Sequence, residues 1–362
     1  MTDVAILEVE ARQLAKRGLQ KNDIIIEKSG GGPKQPVGRV VLFDLGTDEK
    51  YSFSNFTSAI RVATPSKVDP VYLHRVLYWW YTSGRTEPLQ SHSTGIRNLD
   101  FNAYKELEVP LPPLEEQRQI VAVLDQAFAA LDGARTHAEA NLADAQALLE
   151  NSLNEVFRDL ATTSPVVRLE DAVHPDCKLS YGIVQPGDEV ETGLPIVRPV
   201  DLKQRVIALA GLKRISPDRA DGYARTKLVG DELLLCVRGS TGELSIASPE
   251  LAGGNVTRGI VPIRFEDDKV LREFAYFQFR SRYVRDQIAA KTYGAALMQI
   301  NIKDLRRLSF VVPTISQQRK AVERAENLYE RSHRLRSVYS NKLSDLAELR
   351  QSLLQRAFSG QL

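Results

Sequence analysis

An internal repeat limits what this chain can fold into more than any other feature of its sequence. Residues 99–157 align with residues 300–358 without a gap, at a constant offset of 201 positions. Two copies of one segment indicate two equivalent units, and hence two equivalent functions carried out at two places on one partner. The identical residues at matching positions include Pro112 and Pro313, Gln117-Arg118 and Gln318-Arg319, Val121 and Val322, Asp144 and Asp345, Leu148 and Leu349, and Phe157 and Phe358.

Composition restricts the class of protein. The chain has 362 residues, 43% of them apolar and 26% charged, as in a soluble globular protein of two or three domains. Cys177 and Cys236 lack the spacing of a metal or redox motif, which favours free thiols in a reducing compartment and leaves a disulfide open. No stretch is long enough to span a membrane, and acidic residues interrupt residues 1–16, so no signal peptide is expected. We predict a cytoplasmic protein.

A long helix is predicted in each repeat. Prolines at positions 110, 112 and 113 end a strand and preset the first helix, whose first turn carries Glu115 and Glu116. Apolar and small residues then recur at the spacing of a coiled-coil seam, in a helix of about 44 residues and roughly 65 Å. The predicted seam positions are Ile120, Leu124, Ala127, Leu131, Ala134, Ala138, Asn141, Ala145, Leu148 and Ser152 in the first helix, and Leu328, Ser332, Leu335, Tyr339, Lys342, Leu346, Leu349 and Leu353 in the second.

The two predicted helices carry opposite net charge. Residues 114–157 contain eight acidic and two basic residues, whereas residues 316–358 contain nine basic and five acidic residues. Segments of opposite charge can pair with each other, and the second helix can bury its seam only by running back along the first. We therefore expect an antiparallel coiled coil that holds two globular domains apart.

The pattern divides the chain into four parts. They are a globular domain over residues 1–110, a helix over 111–160, a second globular domain over 161–312 and a second helix over 313–362. This order predicts an α+β fold with a pseudo-two-fold internal repeat.

Both globular parts contain short β-rich runs bounded by turn residues. Each also has one amphipathic helical pattern, over residues 69–81 and 269–290. The first part lacks the segment that precedes Asp231 in the second, since Asp23 stands at the matching β-run close to the N-terminus. We expect a first domain that is shortened at its start.

Several of these segments resemble a known family. The run Val109-Pro-Leu-Pro-Pro-Leu-Glu-Glu-Gln-Arg-Gln-Ile120, followed by a long helix, resembles the conserved region of the specificity subunit of type I DNA restriction–modification enzymes. The run Leu349-Arg-Gln-Ser-Leu-Leu-Gln-Arg-Ala-Phe-Ser-Gly-Gln-Leu362 is similar to that family's C-terminus. Two further segments are similar to a turn within the family's domains: Asn22-Asp-Ile-Ile-Ile-Glu-Lys-Ser-Gly30 and Gly230-Asp-Glu-Leu-Leu-Leu-Cys-Val-Arg-Gly-Ser-Thr-Gly242.

The resemblance implies a fold and a function. Two mixed α/β target-recognition domains would be separated by two long antiparallel coiled-coil helices. Each domain would read one half of a bipartite site in double-stranded DNA, and the helices would set the gap between the halves. Such a subunit is not an enzyme. It recruits two methyltransferase subunits, together with restriction subunits in the full complex.

Basic and hydroxyl-bearing residues in loops are the candidates for contacts with DNA. Lys and Arg neutralise phosphates, and Arg, Ser and Thr also bond to base edges. In the first domain the candidates are Lys28, Ser29, Lys34, Arg39 and Arg97. In the second domain they are Lys203, Arg205, Lys213, Arg214, Arg225, Lys227, Arg238, Ser240, Thr241, Arg258, Lys291 and Tyr293.

Each of these segments also has a structural interpretation. The glycines at positions 30–32 suit an ordinary hairpin turn, residues 203–227 suit a solvated charged face, and the loops at 91–97 and 291–299 suit a role in orienting the long helices. The five histidines lack metal-ligand spacing, and the glycine run lacks the ending of a phosphate-binding loop. We therefore expect no metal and no cofactor. The alternative function is a coiled-coil interaction scaffold that does not bind DNA, or a truncated regulatory form.

Overall fold

The chain divides into two structural units. The computed structural model describes residues 6, 8, 10–32, 35–46, 50–93, 95–294 and 298–361. Unit 1 comprises Met1–Ala140 and Tyr339–Leu362, and unit 2 comprises Asn141–Val338. Each unit therefore contains a globular part and a segment of each long helix.

Unit 1 is built on two small antiparallel sheets. In one sheet β1 lies between β3 and β4, and in the other β6 lies between β2 and β5. The elements are α1 (Ala11–Arg17), β1 (Asp23–Glu27), β2 (Ser29–Gly30), β3 (Val40–Phe43), β4 (Thr57–Ile60), α2 (Pro70–Thr82), β5 (Gln90–Ser93), β6 (Ile96–Leu99), α3 (Phe101–Lys105) and α4 (Leu114–Thr163), of which the first part belongs to this unit.

Helix α2 forms the core of unit 1 together with the first sheet. The Asp69 carboxylate accepts hydrogen bonds from the first free amides of the helix, and Pro70 fixes its first backbone dihedral angle. Trp79 and Trp80 are 4% and 2% exposed, and Trp79 packs against the Phe358 ring at the end of the second long helix. Both tryptophans are therefore core residues of unit 1.

Unit 2 is larger and contains three sheets. A four-stranded sheet has the order β14-β11-β12-β9, a three-stranded sheet has the order β10-β8-β13, and β15 pairs with β7. The elements are β7 (Val166–Arg168), α5 (Leu169–Ala172), β8 (Leu194–Val197), β9 (Val206–Ile207), β10 (Arg214–Ile215), β11 (Leu233–Cys236), β12 (Leu244–Ala247), β13 (Asn255–Val256), β14 (Ile260–Ile263), α6 (Arg272–Arg280), α7 (Arg282–Lys291), α8 (Ile302–Arg306), β15 (Ser309–Val311) and α9 (Ile315–Phe358), whose last part belongs to unit 1.

The helical pattern over residues 269–290 forms two helices, so the prediction of one helix was wrong. Ser281 has extended backbone angles between α6 and α7, and its hydroxyl donates a hydrogen bond to the Gln278 carbonyl. A side chain that bonds to the backbone in this way competes with helix continuation. The break lets α6 bury almost its entire length, including Phe274 and Phe277, in the core of unit 2.

The internal repeat extends into the sheets. Strand β1 lies between β3 and β4, as β11 lies between β12 and β14, and α2 and α6 follow at matching places. Sheet β10-β8-β13 has no counterpart among the described residues of unit 1. Among these residues, unit 1 therefore has the simpler globular part.

A buried glutamine fastens each long helix to its globular part. In unit 1, the Gln117 side chain accepts a hydrogen bond from the Asp69 amide at 2.9 Å. It donates to the Lys67 and Pro112 carbonyls at 2.9 and 2.8 Å. Gln117 is fully buried, so these three bonds join the starts of α2 and α4 without help from water.

The same arrangement recurs in unit 2. The Gln318 side chain accepts a hydrogen bond from the Leu271 amide at 2.8 Å and donates to the Lys269 and Pro313 carbonyls at 2.7 and 2.9 Å. These bonds join the starts of α6 and α9. The identical Gln-Arg dipeptides of the repeat are thus explained by a shared structural role of the glutamine.

The long helices pair antiparallel within each unit. In unit 1, the Asp132 carboxylate of α4 lies 2.7 Å from the Arg350 guanidinium of α9. In unit 2, the Ser332 hydroxyl of α9 donates to the Ala145 carbonyl of α4 at 2.8 Å. Contacts nearer the end of α4 thus involve residues nearer the start of α9. The predicted α+β fold with two long antiparallel helices is confirmed.

The predicted seam needs correction. Leu148 and Leu349 are each 48% exposed and Leu335 is 38% exposed, whereas Leu149 and Leu153 are buried. The coiled-coil pattern assumed that only the partner helix covers α4. In unit 2 the globular core covers it as well, so the buried positions follow a four-residue spacing. They are Ala145, Leu149, Leu153 and Phe157.

Candidate nucleic-acid interface

Two loops of unit 2 meet at the end of β11. The Arg238 and Gln299 backbones form an isolated bridge, and Gln299 forms another with Tyr293. The Gly239 amide donates to the Met298 carbonyl at 2.8 Å, and the Thr241 hydroxyl donates to the same carbonyl at 3.2 Å. The fold therefore brings the predicted DNA contacts Arg238 and Thr241 close to Tyr293, which lies more than fifty positions later in the sequence.

A cleft of about 310 Å³ lies beside these loops. Two of its lining residues are basic and none is acidic, so the cleft favours an anionic or acceptor-rich ligand. Its remaining walls are apolar or backbone. The lining residues are Ile183, Val184, Pro186, Pro199, Arg238, Thr257, Arg258 and Gly259.

The two arginines of the cleft have different surroundings. Arg258 is exposed, and its guanidinium carbon lies 6.0 Å from the centre of the Tyr181 ring. Arg238 is partly buried, and its Nε atom has no hydrogen-bond partner among the described residues. Burial raises the pKa of the Tyr181 hydroxyl, against the smaller opposing effect of both arginine charges. Tyr181 therefore experiences the positive charge of the cleft.

The sequence did not predict that residues 183–186 form one wall of the cleft. The Ile183 amide donates to the Val256 carbonyl at 2.8 Å, which draws this segment against β13. A Cβ atom at Gly182 would lie 2.1 Å from the same carbonyl oxygen, so only glycine permits the approach. The signal in the sequence was the cluster Gly182, Pro186 and Gly187, which reads as a turn but does not reveal what the turn faces.

Arg205, a predicted DNA contact, has close partners within the protein. Its guanidinium forms a bidentate ion pair with the Glu326 carboxylate of α9, with one nitrogen at 2.6 Å. It also lies 4.8 to 5.2 Å from the ring centres of Tyr276, Phe277 and Tyr329. The carboxylate bond raises the pKa of Arg205. This residue fastens the globular part of unit 2 to α9, and its interactions are already satisfied within the protein.

The other predicted DNA contacts between positions 203 and 227 form two groups. Lys213 and Arg214 donate hydrogen bonds to the Gly187 and Gly193 carbonyls, at 2.8 and 3.0 Å, and so brace neighbouring loops. The remaining three side chains are exposed and keep the solvated-face interpretation open: Lys203, Arg225 and Lys227.

At the ends of the unit 2 loops, Ser240 and Tyr293 are exposed, and Tyr293 is 49% accessible. Lys291 is partly buried at the last position of α7. These side chains lie near the cleft loops in sequence and remain predicted contacts.

In unit 1 the predicted contacts have mostly structural partners. The Arg39 guanidinium lies 3.1 Å from the Glu27 carboxylate, which raises the pKa of Arg39. Arg97 donates hydrogen bonds to the Gly32 carbonyl at 3.0 Å and to the Gln90 amide oxygen at 3.4 Å. These bonds stabilise the glycine-rich turn, in agreement with its structural interpretation.

Three predicted contacts of unit 1 remain. The Ser29 hydroxyl donates to the Asn98 amide oxygen at 2.6 Å across β2 and β6. Lys28 is partly buried between β1 and β2. Lys34 lies outside the described residues.

Neither a metal-binding group nor a membrane-spanning helix is found in the described part of the chain. It contains no group of three or more His, Cys, Asp or Glu side chains that could hold a metal ion. Cys177 and Cys236 are free thiols, and burial raises the pKa of both. Among the helices described, none is long and apolar enough to cross a membrane.

Known proteins of one kind resemble this chain in sequence. Residues 10–139 match the family model described as "Type I restriction modification DNA specificity domain". The type I restriction enzyme EcoBI specificity subunit of Escherichia coli is 24% identical over 292 residues, which are 75% of this chain. The chain is thus similar to specificity subunits of type I restriction–modification enzymes.

Other specificity subunits match nearly the whole chain. The StySPI specificity subunit of Salmonella potsdam is 23% identical over 95% of this chain and 75% of its own length. The chain spans 61% of the length of the EcoBI subunit. The activity, DNA target and partners of these longer proteins are therefore matters for proposal here.

Solved structures share the fold. A chain from work on complex assembly and conformational transition of the type I R-M system has a TM-score of 0.74 at 19% identity, covering 96% of this chain and 84% of that one. The HsdS subunit from Thermoanaerobacter tengcongensis has a TM-score of 0.55 at 20% identity, covering 95% and 82% of the two chains. At these identities the likeness concerns the fold alone.

Proposed function

We propose that this chain is the DNA-reading subunit of a type I restriction–modification complex. Each unit reads one half of a bipartite target in double-stranded DNA. The observation that carries the proposal is the internal repeat, which places one central strand, one buried helix and one buried glutamine at matching places in two units. Residues 10–139 also match the model of a type I restriction–modification DNA specificity domain. Such a protein suits a partner that presents two similar but separated binding sites. Double-stranded DNA is a partner of this kind.

The basic cleft supports DNA as the ligand of unit 2. Arg238 and Arg258 line it without a neighbouring carboxylate among its lining residues. Arginine is the side chain best suited to both phosphate oxygens and the acceptors of guanine. In contrast, the cleft at Asp231 mixes arginines with three carboxylates and offers no net charge for a polyanion.

We further propose that the subunit is not an enzyme and acts through methyltransferase partners. A groove of about 510 Å³ in unit 1 runs between α2, α4 and α9 and is lined by apolar residues such as Leu131, Leu346 and Leu354. Val123 and Leu349 are nearly half exposed on the helices of the same unit. These features suit the docking of methyltransferase subunits. Because the repeat gives two equivalent units, two such subunits would bind, and restriction subunits would join the full complex.

The test is to mix the purified chain with its genomically adjacent methyltransferase and sequence the methylated adenines on random DNA. We expect a bipartite motif with a fixed gap, and no motif with the methyltransferase alone. A single half-site would mean that one unit does not read DNA. A stable complex that methylates nothing would refute the proposal and favour the coiled-coil scaffold.

A further inference from the structure

The turn that follows the central strand has the same backbone scaffold in both units. In unit 1, Ser29 of β2 pairs with Asn98 of β6. In unit 2, Arg238 pairs with Gln299, which lies 201 positions after Asn98, the offset of the internal repeat. Two different side chains, a serine and an arginine, thus stand at one structural position.

The hydrogen bonding at this position differs between the units. The Ser29 hydroxyl is satisfied within unit 1 by its bond to Asn98. The buried Nε atom of Arg238 has no partner among the described residues, although the side chain lines the cleft. Leaving a buried N–H donor such as this Nε unpaired is unfavourable, because the donor loses water without gaining an acceptor. A ligand that brings acceptors would restore these bonds.

We propose that Arg238 is a specificity-determining residue that reads one guanine of the half-site bound by unit 2, a proposal that rests on the DNA-binding function above. Arginine carries five N–H donors in a planar fork and no acceptor. Guanine presents two acceptors, O6 and N7, side by side in the major groove, and no other base does so. The apolar walls at Ile183 and Pro199 keep competing acceptors away from the fork.

Burial assigns different tasks to the two arginines of the cleft. Arg258 is exposed, so it suits a phosphate, which requires charge but little directional precision. Arg238 is held by its backbone bridge to Gln299 and by the burial of Nε, which restricts the directions of the guanidinium. A restricted fork is suited to bidentate reading of a base edge, since less conformational freedom is lost on binding.

The experiment compares Arg238→Ala and Arg238→Lys with the control Arg258→Ala in the reconstituted complex on random DNA. Arg238→Ala should lower the preference for guanine at one position of one half-site by about 10- to 100-fold. Arg238→Lys should also lose most of this preference, because an ammonium group keeps the charge but not the fork. The half-site read by unit 1 serves as the folding control within the same molecule.

The control and the opposing outcomes separate base reading from phosphate contact. Arg258→Ala should weaken binding to all sequences alike and make the dependence of log K on log salt shallower by about one. If Arg238→Ala does the same, Arg238 contacts a phosphate and the inference is wrong. If Arg238→Lys keeps the wild-type preference, the guanidinium fork does not read the base, and the inference is likewise wrong. An unchanged motif in Arg238→Ala also overturns it. A wild-type complex without any motif refutes the proposed function instead.

Discussion

Replacing Gln117 with methionine should destabilise unit 1 by about 3 kcal/mol. Methionine has nearly the same length and volume, so the change removes the amide without opening a large cavity. Three hydrogen bonds of 2.8 to 2.9 Å disappear from a fully buried site. Each contributes roughly 1 kcal/mol net, and the Asp69 amide and two carbonyls remain without their partner.

The two tryptophans of the chain make this change measurable in unit 1. Trp79 and Trp80 both lie in its core, so tryptophan fluorescence during urea unfolding follows this unit. With a slope of about 2 kcal/mol per molar urea, a loss of about 3 kcal/mol lowers the midpoint by roughly 1.5 M. The matched control is Gln119→Met, a change at an exposed position two residues further along α4, which should alter stability by less than about 0.5 kcal/mol.

The reasoning fails if Gln117→Met and Gln119→Met have the same midpoint within error. That result would mean that the bonds to Lys67 and Pro112 contribute nothing net, and that the repeated glutamine has another role. A large loss in both variants would instead indicate a general intolerance of α4 to methionine.

Three further predictions concern the packing of the two units. Arg205→Ala should lower the free energy of unfolding by about 3 kcal/mol, because its carboxylate partner stays behind unpaired. The control Arg225→Ala, at an exposed position, should lower it by less than about 0.5 kcal/mol. Urea unfolding followed by far-UV circular dichroism measures both. Burial lowers the pKa of His74 to about 4, so protonation favours the unfolded state: the stability of unit 1 should be complete above pH 6.5 and fall by about 3 kcal/mol as the pH is lowered to 4. His74→Gln should remove this part of the pH dependence of the fluorescence midpoint, and an unchanged pH profile would contradict the assignment. Leu149→Ala should cost about 2 to 4 kcal/mol and Leu148→Ala less than about 1 kcal/mol in thermal unfolding; equal costs would restore the seam predicted from the heptads.

The repeat predicted the long helices and their pairing because both depend on local pattern and charge. The heptad pattern could not predict which face of α4 is buried. Leu148 and Leu149 are both leucines, and only the globular core of unit 2 selects between them. The broken helix at Ser281 was missed for a similar reason. A local hydroxyl–backbone bond decides it, and the apolar pattern continues across the break.

The candidate site was predicted less well than the fold. A basic residue in a charged stretch suggests a surface contact when its partner is unknown. The partner of Arg205 lies 121 positions away in the sequence, so the local sequence does not reveal it. Arg238 was selected as one member of a turn motif, but its unpaired Nε atom and the cleft beside it depend on residues 183–186 and 257–259. The alignment of the two repeat copies shows that the glutamine at position 117 is identical in both. It does not show that the side chain is buried, so the role of Gln117 could be predicted only in part.

The division of the chain into two units has a consequence for recombination between related sequences. The division falls between Ala140 and Asn141 and between Val338 and Tyr339, inside both long helices. A genetic crossover at these points keeps Phe157 and Phe274, whose ring centres are 5.3 Å apart, within one parental sequence. A crossover in the loop after α4 separates them and assembles the core of unit 2 from two ancestries. New specificities should therefore arise most readily by recombination within the helices.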